Sequence, residues 1–142
     1  MILPENRKRF IELLQKWIVL EGNTIDSANR LLSMTSNPFV KGIIELIRID
    51  SEKHRLILET IRLSLDSTVT FTHEDMEVVN TFIERHDSME KGTIDIAEQI
   101  IGMVTLPIPR LLMTHLLEDE KSHDRYIEEL TRLKLDMAKA TQ

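Results

Sequence analysis

A glutamate and a histidine stand three residues apart in the middle of the predicted last helix. Glu120 and His123 project from the same helix face, because side chains three apart lie one above the other. Asp119, four residues before His123, is close enough on that face to hydrogen-bond the imidazole. A Glu-x-x-His pair that projects into a helical bundle is half of a recurrent metal site. The spacing therefore predicts that Glu120 and His123 bind a metal ion.

Four long helices are predicted to position these residues. Aromatic residues make up only 4% of the chain, and Ile, Leu, Met, Glu, Lys and Arg dominate, which is typical of helices packed through aliphatic seams. Asn37 before Pro38, and Thr72 before two acidic residues, are signals for helix starts. The predicted helices begin at Pro4, at Pro38, after the N-cap Thr72 and around Pro107 and Pro109, which also mark the preceding turn. They end near Met34, near Leu65, before Pro107 and near Met137.

Each predicted helix has an apolar seam with polar residues near its centre, which apolar packing alone does not require. The seam residues are Phe10, Leu14, Trp17, Glu21, Thr24, Ala28 and Leu31 in the first helix; Val40, Ile44, Ile47, Ser51, His54, Leu58, Ile61 and Leu65 in the second; Val79, Ile83, His86, Glu90, Ala97, Ile101 and Val104 in the third; and Leu112, Leu116, Glu120, His123, Ile127 and Leu130 in the fourth.

The two halves of the chain align without a gap when one is shifted by 69 residues. The shared residues include polar ones in the seams, so we interpret residues 4–66 and 72–139 as two copies of one helical hairpin. Convergence of two amphipathic hairpins is the alternative. The matched polar pairs are Glu21 with Glu90, Asp50 with Asp119, and His54 with His123.

The polar seam residues fall near the helix midpoints, which lie at one height in an antiparallel bundle. Buried carboxylates at one height repel each other and become protonated unless a cation compensates their charge. Carboxylate and imidazole ligands suit iron or manganese, and the absence of Cys excludes thiolate-bound zinc and iron–sulfur sites. The predicted metal ligands are Glu21, His54, Glu90, Glu120 and His123, with Asp50 and His86 as possible additional ligands.

The ligand pattern resembles that of the ferritin-like diiron-carboxylate superfamily, which includes ferritins, rubrerythrins and bacterioferritins. That family has Glu on helix one, Glu-x-x-His on helix two, Glu on helix three and Glu-x-x-His on helix four, and Glu21, Glu90, Glu120 and His123 fit it. The resemblance implies an all-α, antiparallel four-helix bundle spanning residues 1–142 as one domain. It also implies two iron ions, or manganese, and oxidoreductase activity toward O2, peroxide or Fe(II).

Two departures from the family pattern bear on these expectations. Ser51 stands where the family has a bridging Glu, so Asp50 or His86 would have to replace that ligand, or the site is degraded. In the degraded case the protein is a non-catalytic structural or interaction bundle. The link at residues 66–71 spans only about 20 Å, too short to cross a helix of about 45 Å, which favours up-down-up-down connectivity or helices shorter than these. Some family members use an Asp to orient a ligating His, a role that Asp50 and Asp119 match.

The net charge and the hydropathy of the chain bear on its expected partners and location. The net charge of −6 argues against nucleic acid or an anionic membrane as a partner. No apolar run reaches the roughly 20 residues of a membrane span, and no signal peptide is evident, so we expect a cytoplasmic protein. Apolar residues outside the seams, such as Ile11, Val19 and Ile96, indicate a homodimer.

Two other classes of iron protein compete with the oxidoreductase. A hemerythrin is disfavoured because the predicted first helix has no His and the chain has no His-x-x-x-His pair, although His86-x-x-x-Glu90 imitates one hemerythrin motif. Iron storage stays open as a third function, and it would require a hollow multimeric shell. The expected substrate is a small oxidant or a metal ion, and no side chain is assigned a catalytic role.

Overall fold

The computed structural model describes residues 4–66 and 72–140, which form four α-helices and no strand. The all-α prediction is therefore confirmed for this part of the chain. Most of the predicted link, residues 67–71, lies outside the described residues. The helices are α1 (Pro4–Leu32), α2 (Pro38–Asp66), α3 (His73–Ile101) and α4 (Pro107–Ala140).

Two of the helix starts are fixed by the capping residues that the sequence predicted. The Asn37 side chain accepts hydrogen bonds from the backbone N–H groups of Phe39 (2.9 Å) and Val40 (3.3 Å) at the start of α2. At the start of α3, the Thr72 hydroxyl accepts from the Asp75 N–H, and the Asp75 carboxylate accepts from the Thr72 N–H, which forms a capping box. These bonds satisfy N–H groups that have no partner within the helix.

The chain divides into two compact units, one holding α1 and α2 and the other holding α3 and α4. In the first unit Arg7, near the start of α1, donates a 2.8 Å hydrogen bond to the Leu65 carbonyl near the end of α2. In the second, Arg110 at the start of α4 donates to the Val104 carbonyl just after α3 (3.2 Å). Each unit is a helical hairpin, in which α1 packs against α2 and α3 packs against α4.

The helix bounds repeat with the same 69-residue offset as the sequence. Both α1 and α3 contain 29 residues, and their first and last residues differ by 69 in number, as do the first residues of α2 and α4. Burial follows the same offset, because Ala28 and Ala97 are both buried, as are Leu58 and Ile127. The two hairpins therefore share their helix register and the centre of their packing.

The predicted seams account for most of the packing. Of the buried residues in the described part of the chain, only Ile25 was not assigned to a seam. Ser51 is the one polar residue among them, so the serine of α2 lies inside the first hairpin. The buried residues are Leu14, Ile25, Ala28, Ser51, Leu58, Ala97 and Ile127.

Within residues 4–66 and 72–140, none of the helices combines the length and the apolar character needed to cross a lipid bilayer.

Replacing the N-cap Thr72 with Ala should destabilise the protein by about 1 kcal/mol, because it removes the acceptor for the Asp75 N–H. The free energy of unfolding, measured by urea denaturation and circular dichroism, checks this. The matched control is Thr81→Ala in the interior of α3, where the hydroxyl bonds only the Glu77 carbonyl of the same helix. The control should change stability by less than about 0.5 kcal/mol. Equal effects of the two substitutions would contradict the capping role.

Candidate metal centre

Three potential metal ligands converge in the second hairpin. Glu90 of α3 and Glu120 and His123 of α4 each offer one ligand atom, and these atoms all lie within 4.8 Å of one another. The His123 Nδ1 is 3.6 Å from Glu90 Oε2 and 3.8 Å from Glu120 Oε2. The Glu-x-x-His spacing places two ligands on one face of α4, and the packing of α3 against α4 brings the third alongside them.

The two carboxylates of this cluster are mutually unfavourable without a bound cation or proton. The pKa of Glu120 is raised by its contact with Glu90, further by burial and by the charge of Glu90, while His123 opposes the shift. The Glu90 Oε2 atom is buried and has no hydrogen-bond partner. A buried carboxylate oxygen without a partner is costly, so this oxygen is available to a cation.

The equivalent position in the first hairpin holds a different arrangement. His54 Nδ1 lies 3.2 Å from Glu21 Oε1, in the place where His123 approaches Glu90. The Trp17 indole N–H donates a 2.9 Å hydrogen bond to the same Glu21 oxygen. Ser51, in the place of Glu120, is buried. Glu21 thus faces the Trp17 N–H and the His54 ring, and position 51 gives it no second carboxylate.

These contacts change the acidity of Glu21 in the sense opposite to that of Glu120. Burial raises the pKa of Glu21, but hydrogen bonds from Ser51, Trp17 and His54 and the charge of His54 outweigh it, so the pKa is lowered overall. The hydrogen bonds within the first hairpin therefore favour the ionised form of the Glu21 carboxyl.

The exposure of the two clusters is similar. The Glu21 side chain is 13% exposed and that of Glu90 is 18%, whereas His54 and His123 are each 47% exposed. Each cluster therefore combines a largely buried carboxylate with an imidazole that solvent or a metal ion can reach.

Other predicted residues make local contacts in the described structure. His86 Nδ1 lies 3.0 Å from the Phe82 carbonyl, and its ring stacks on Phe82 with ring centroids 4.3 Å apart. The Asp119 carboxylate lies 3.6 Å from His115 Nε2, and Asp50 lies 3.7 Å from Lys53 Nζ. The ligand role of His86 and Asp50, and the orienting role of Asp50 and Asp119, stay predictions.

Sequence reasoning missed the role of Trp17, which was assigned to apolar packing. The Trp17 residue is 54% exposed, and its indole N–H donates a hydrogen bond to Glu21. The signal was present, because Trp17 and Glu21 are four residues apart and such pairs meet on a helix face.

The donor set of the second hairpin fits a divalent transition metal. Two carboxylates and one neutral imidazole carry a charge of −2, which a divalent ion neutralises. Oxygen and nitrogen ligands of this kind suit iron and manganese. The first hairpin offers Glu21 and His54, but the Glu21 charge is already compensated there.

The chain matches no protein-family model, and the comparisons with curated proteins and with solved structures found no match. The resemblance to ferritin-like proteins therefore rests on the ligand pattern.

Replacing Glu120 with Gln should stabilise the metal-free protein at neutral pH, because it removes the charge that Glu90 opposes. A raised pKa favours the protonated folded state, so wild-type stability should be relatively higher below pH 4.5, the ordinary value, and should decline as pH rises through the higher folded pKa. The advantage of the variant should therefore vanish at acid pH. Thermal unfolding with a chelator present, from pH 4 to pH 8, measures this.

The matched control is Glu118→Gln, which neutralises an exposed carboxylate of the same helix. It should show a smaller effect at neutral pH. A Glu120→Gln protein that is less stable than the wild type at neutral pH would contradict the repulsion between Glu90 and Glu120.

Proposed function

We propose that this protein binds iron or manganese through Glu90, Glu120 and His123. The observation that carries the proposal is the buried, unpartnered Glu90 oxygen beside a second carboxylate and an imidazole nitrogen. Glu90 and Glu120 would supply anionic oxygens, and His123 would supply Nδ1, the nitrogen that faces both carboxylates. Such a set holds the ion from two helices of one hairpin.

We further propose a ferritin-like oxidoreductase that acts on O2, peroxide or Fe(II). The ligand pattern supports this class, because carboxylate-rich sites leave iron or manganese with coordination positions open to a small molecule. A bound ion would supply the redox chemistry. The protein's own part would be to hold the ion between Glu90 and Glu120 and to keep the half-exposed His123 edge accessible.

The predicted antiparallel four-helix bundle belongs to this proposal. Each hairpin leaves large apolar side chains exposed, such as Leu20 and Ile47 in the first and Phe82 and Leu116 in the second. Apolar surface of this kind is stabilised when it is buried against another element. Closure of the hairpins into one bundle, with a homodimer formed through the remaining apolar surface, would remove it from water.

A non-catalytic structural bundle with a degraded metal site is the second candidate. Ser51 favours it, because a serine occupies the place of a bridging carboxylate and the Glu21 charge is compensated by hydrogen bonds. In that case the polar clusters would serve to fix the register of the helices. The two candidates differ in whether the purified protein retains a metal ion.

Titration of the metal-free protein with Mn²⁺ by calorimetry tests metal binding. Glu90→Gln, Glu120→Gln and His123→Ala should each weaken binding by more than about 100-fold, the upper range for losing a group that only supports a ligand. The controls are His73→Ala and Glu129→Gln, whose side chains are 90% and 64% exposed. They should bind Mn²⁺ like the wild type. Binding that survives all three ligand substitutions, or no binding by the wild type, would contradict the proposed site.

Oxidation of Fe(II) in air tests the proposed activity separately. The wild type should accelerate the appearance of ferric absorbance, and Glu120→Gln should remove the acceleration. Metal binding without any acceleration, and without peroxide consumption, would favour the non-catalytic bundle.

A further inference from the structure

The two hairpins differ chemically at one pair of equivalent positions on their second helices. Position 51 of α2 is a serine and position 120 of α4 is a glutamate, while the flanking Glu and His of each cluster are the same. Ser51 is 5% exposed and is the buried polar residue of the first hairpin among the described residues. The difference therefore lies inside the cluster and not on the surface.

The groups that surround the glutamate of each cluster, Glu21 in the first hairpin and Glu90 in the second, also differ. In the first hairpin Glu21 Oε1 receives the Trp17 N–H at 2.9 Å and lies 3.2 Å from His54, and the buried Ser51 stands where the second hairpin has a carboxylate. In the second hairpin the equivalent of Trp17 is His86, whose ring is turned to Phe82. The first cluster therefore supplies hydrogen-bond donors to its carboxylate.

The second cluster leaves one oxygen of its carboxylate without a hydrogen-bond donor. Glu90 Oε2 has no hydrogen-bond partner, and its neighbours are the Glu120 carboxylate and the His123 ring at 3.6 Å. An acceptor that faces another acceptor requires a proton or a cation between them, whereas a carboxylate with several donors does not. The first cluster thus has hydrogen-bond donors for its carboxylate, whereas the second needs a proton or a cation between its carboxylates.

We propose that Ser51 makes the first hairpin a metal-free hydrogen-bonded counterpart of the second, so that each chain binds one metal ion. The hydroxyl occupies the place of a ligand and helps to hold Glu21 as a partner of Trp17 and His54. Ser51 is thus the residue that determines which hairpin takes a metal. The single-ion count rests on the proposed function, but the role of Ser51 does not.

The direct test is to give the first hairpin the missing carboxylate. Ser51→Glu places a second carboxylate beside Glu21 and His54, in the frame that the second hairpin uses for its three ligands. Ser51→Gln is the control, because it adds the same volume without a charge. Trp17→Phe combined with Ser51→Glu also removes the indole N–H that competes for Glu21. Calorimetric titration with Mn²⁺ alone gives the number of ions per chain.

We expect one Mn²⁺ per chain for the wild type and for Ser51→Gln, and two for Ser51→Glu with or without Trp17→Phe. Two ions bound by the wild type would overturn the proposal. So would a count that Ser51→Glu does not raise, provided that circular dichroism shows the wild-type helix content. If the wild type binds none and Ser51→Glu binds one, the proposed function fails and the role of Ser51 stands.

A second pair of variants keeps the proposal testable if a buried carboxylate at position 51 prevents folding. In the otherwise wild-type protein, Glu21→Gln should change the Mn²⁺ affinity by less than about twofold, whereas Glu90→Gln should lower it by more than about 100-fold. Glu21→Gln should still lower the unfolding temperature, because its donors lose a charged acceptor. Equal losses of affinity in the two variants would show that Glu21 is a metal ligand and would overturn the proposal.

Discussion

The closeness of Glu90 and Glu120 within one helical hairpin is the constraint on which the rest of the site depends. Two carboxylates held on facing helices resist ionising together, as the raised pKa of Glu120 reflects. His123 lies near both oxygens but leaves Glu90 Oε2 without a hydrogen bond. Hydrophobic packing of α3 against α4 does not need these charges, so they add a cost that apolar residues would avoid. A bound cation is the simplest way to offset that cost.

The helical frame that repeats in the two hairpins shows that few residue differences separate the two clusters. The cluster of Glu90, Glu120 and His123 brings two carboxylates together, whereas the cluster of Glu21 and His54 supplies hydrogen-bond donors to its one carboxylate. Helix bounds and buried positions repeat at an offset of 69 residues, so both hairpins present their glutamate and histidine at the same register. Within that frame, Trp17 donates to Glu21 and the buried Ser51 brings no carboxylate, whereas Glu120 places another acceptor beside Glu90. The packing of the hairpin is thus separable from the chemistry of its centre.

Local signals in the sequence were sufficient for the helices and for the residues that cap two of them. Asn37 and Thr72 cap helices through bonds to residues two or three positions away, so their roles can be read from neighbouring residues. Side-chain rotamers were harder to predict, because a residue in a helix can contact a partner four positions before it or four positions after it. Asp119 lies four residues from both His115 and His123, and it contacts His115. His86 likewise contacts Phe82, four residues before it.

Anomalous diffraction from crystals of the protein grown with Mn²⁺ tests the central claim most directly, because it locates the ion without any substitution. We predict one strong peak per chain, within coordination distance of Glu90, Glu120 and His123, and none beside Glu21 and His54. A peak of equal strength beside Glu21 and His54 would contradict the difference between the hairpins. An ordered Glu90–Glu120–His123 cluster without a peak, at saturating Mn²⁺, would contradict the metal site itself.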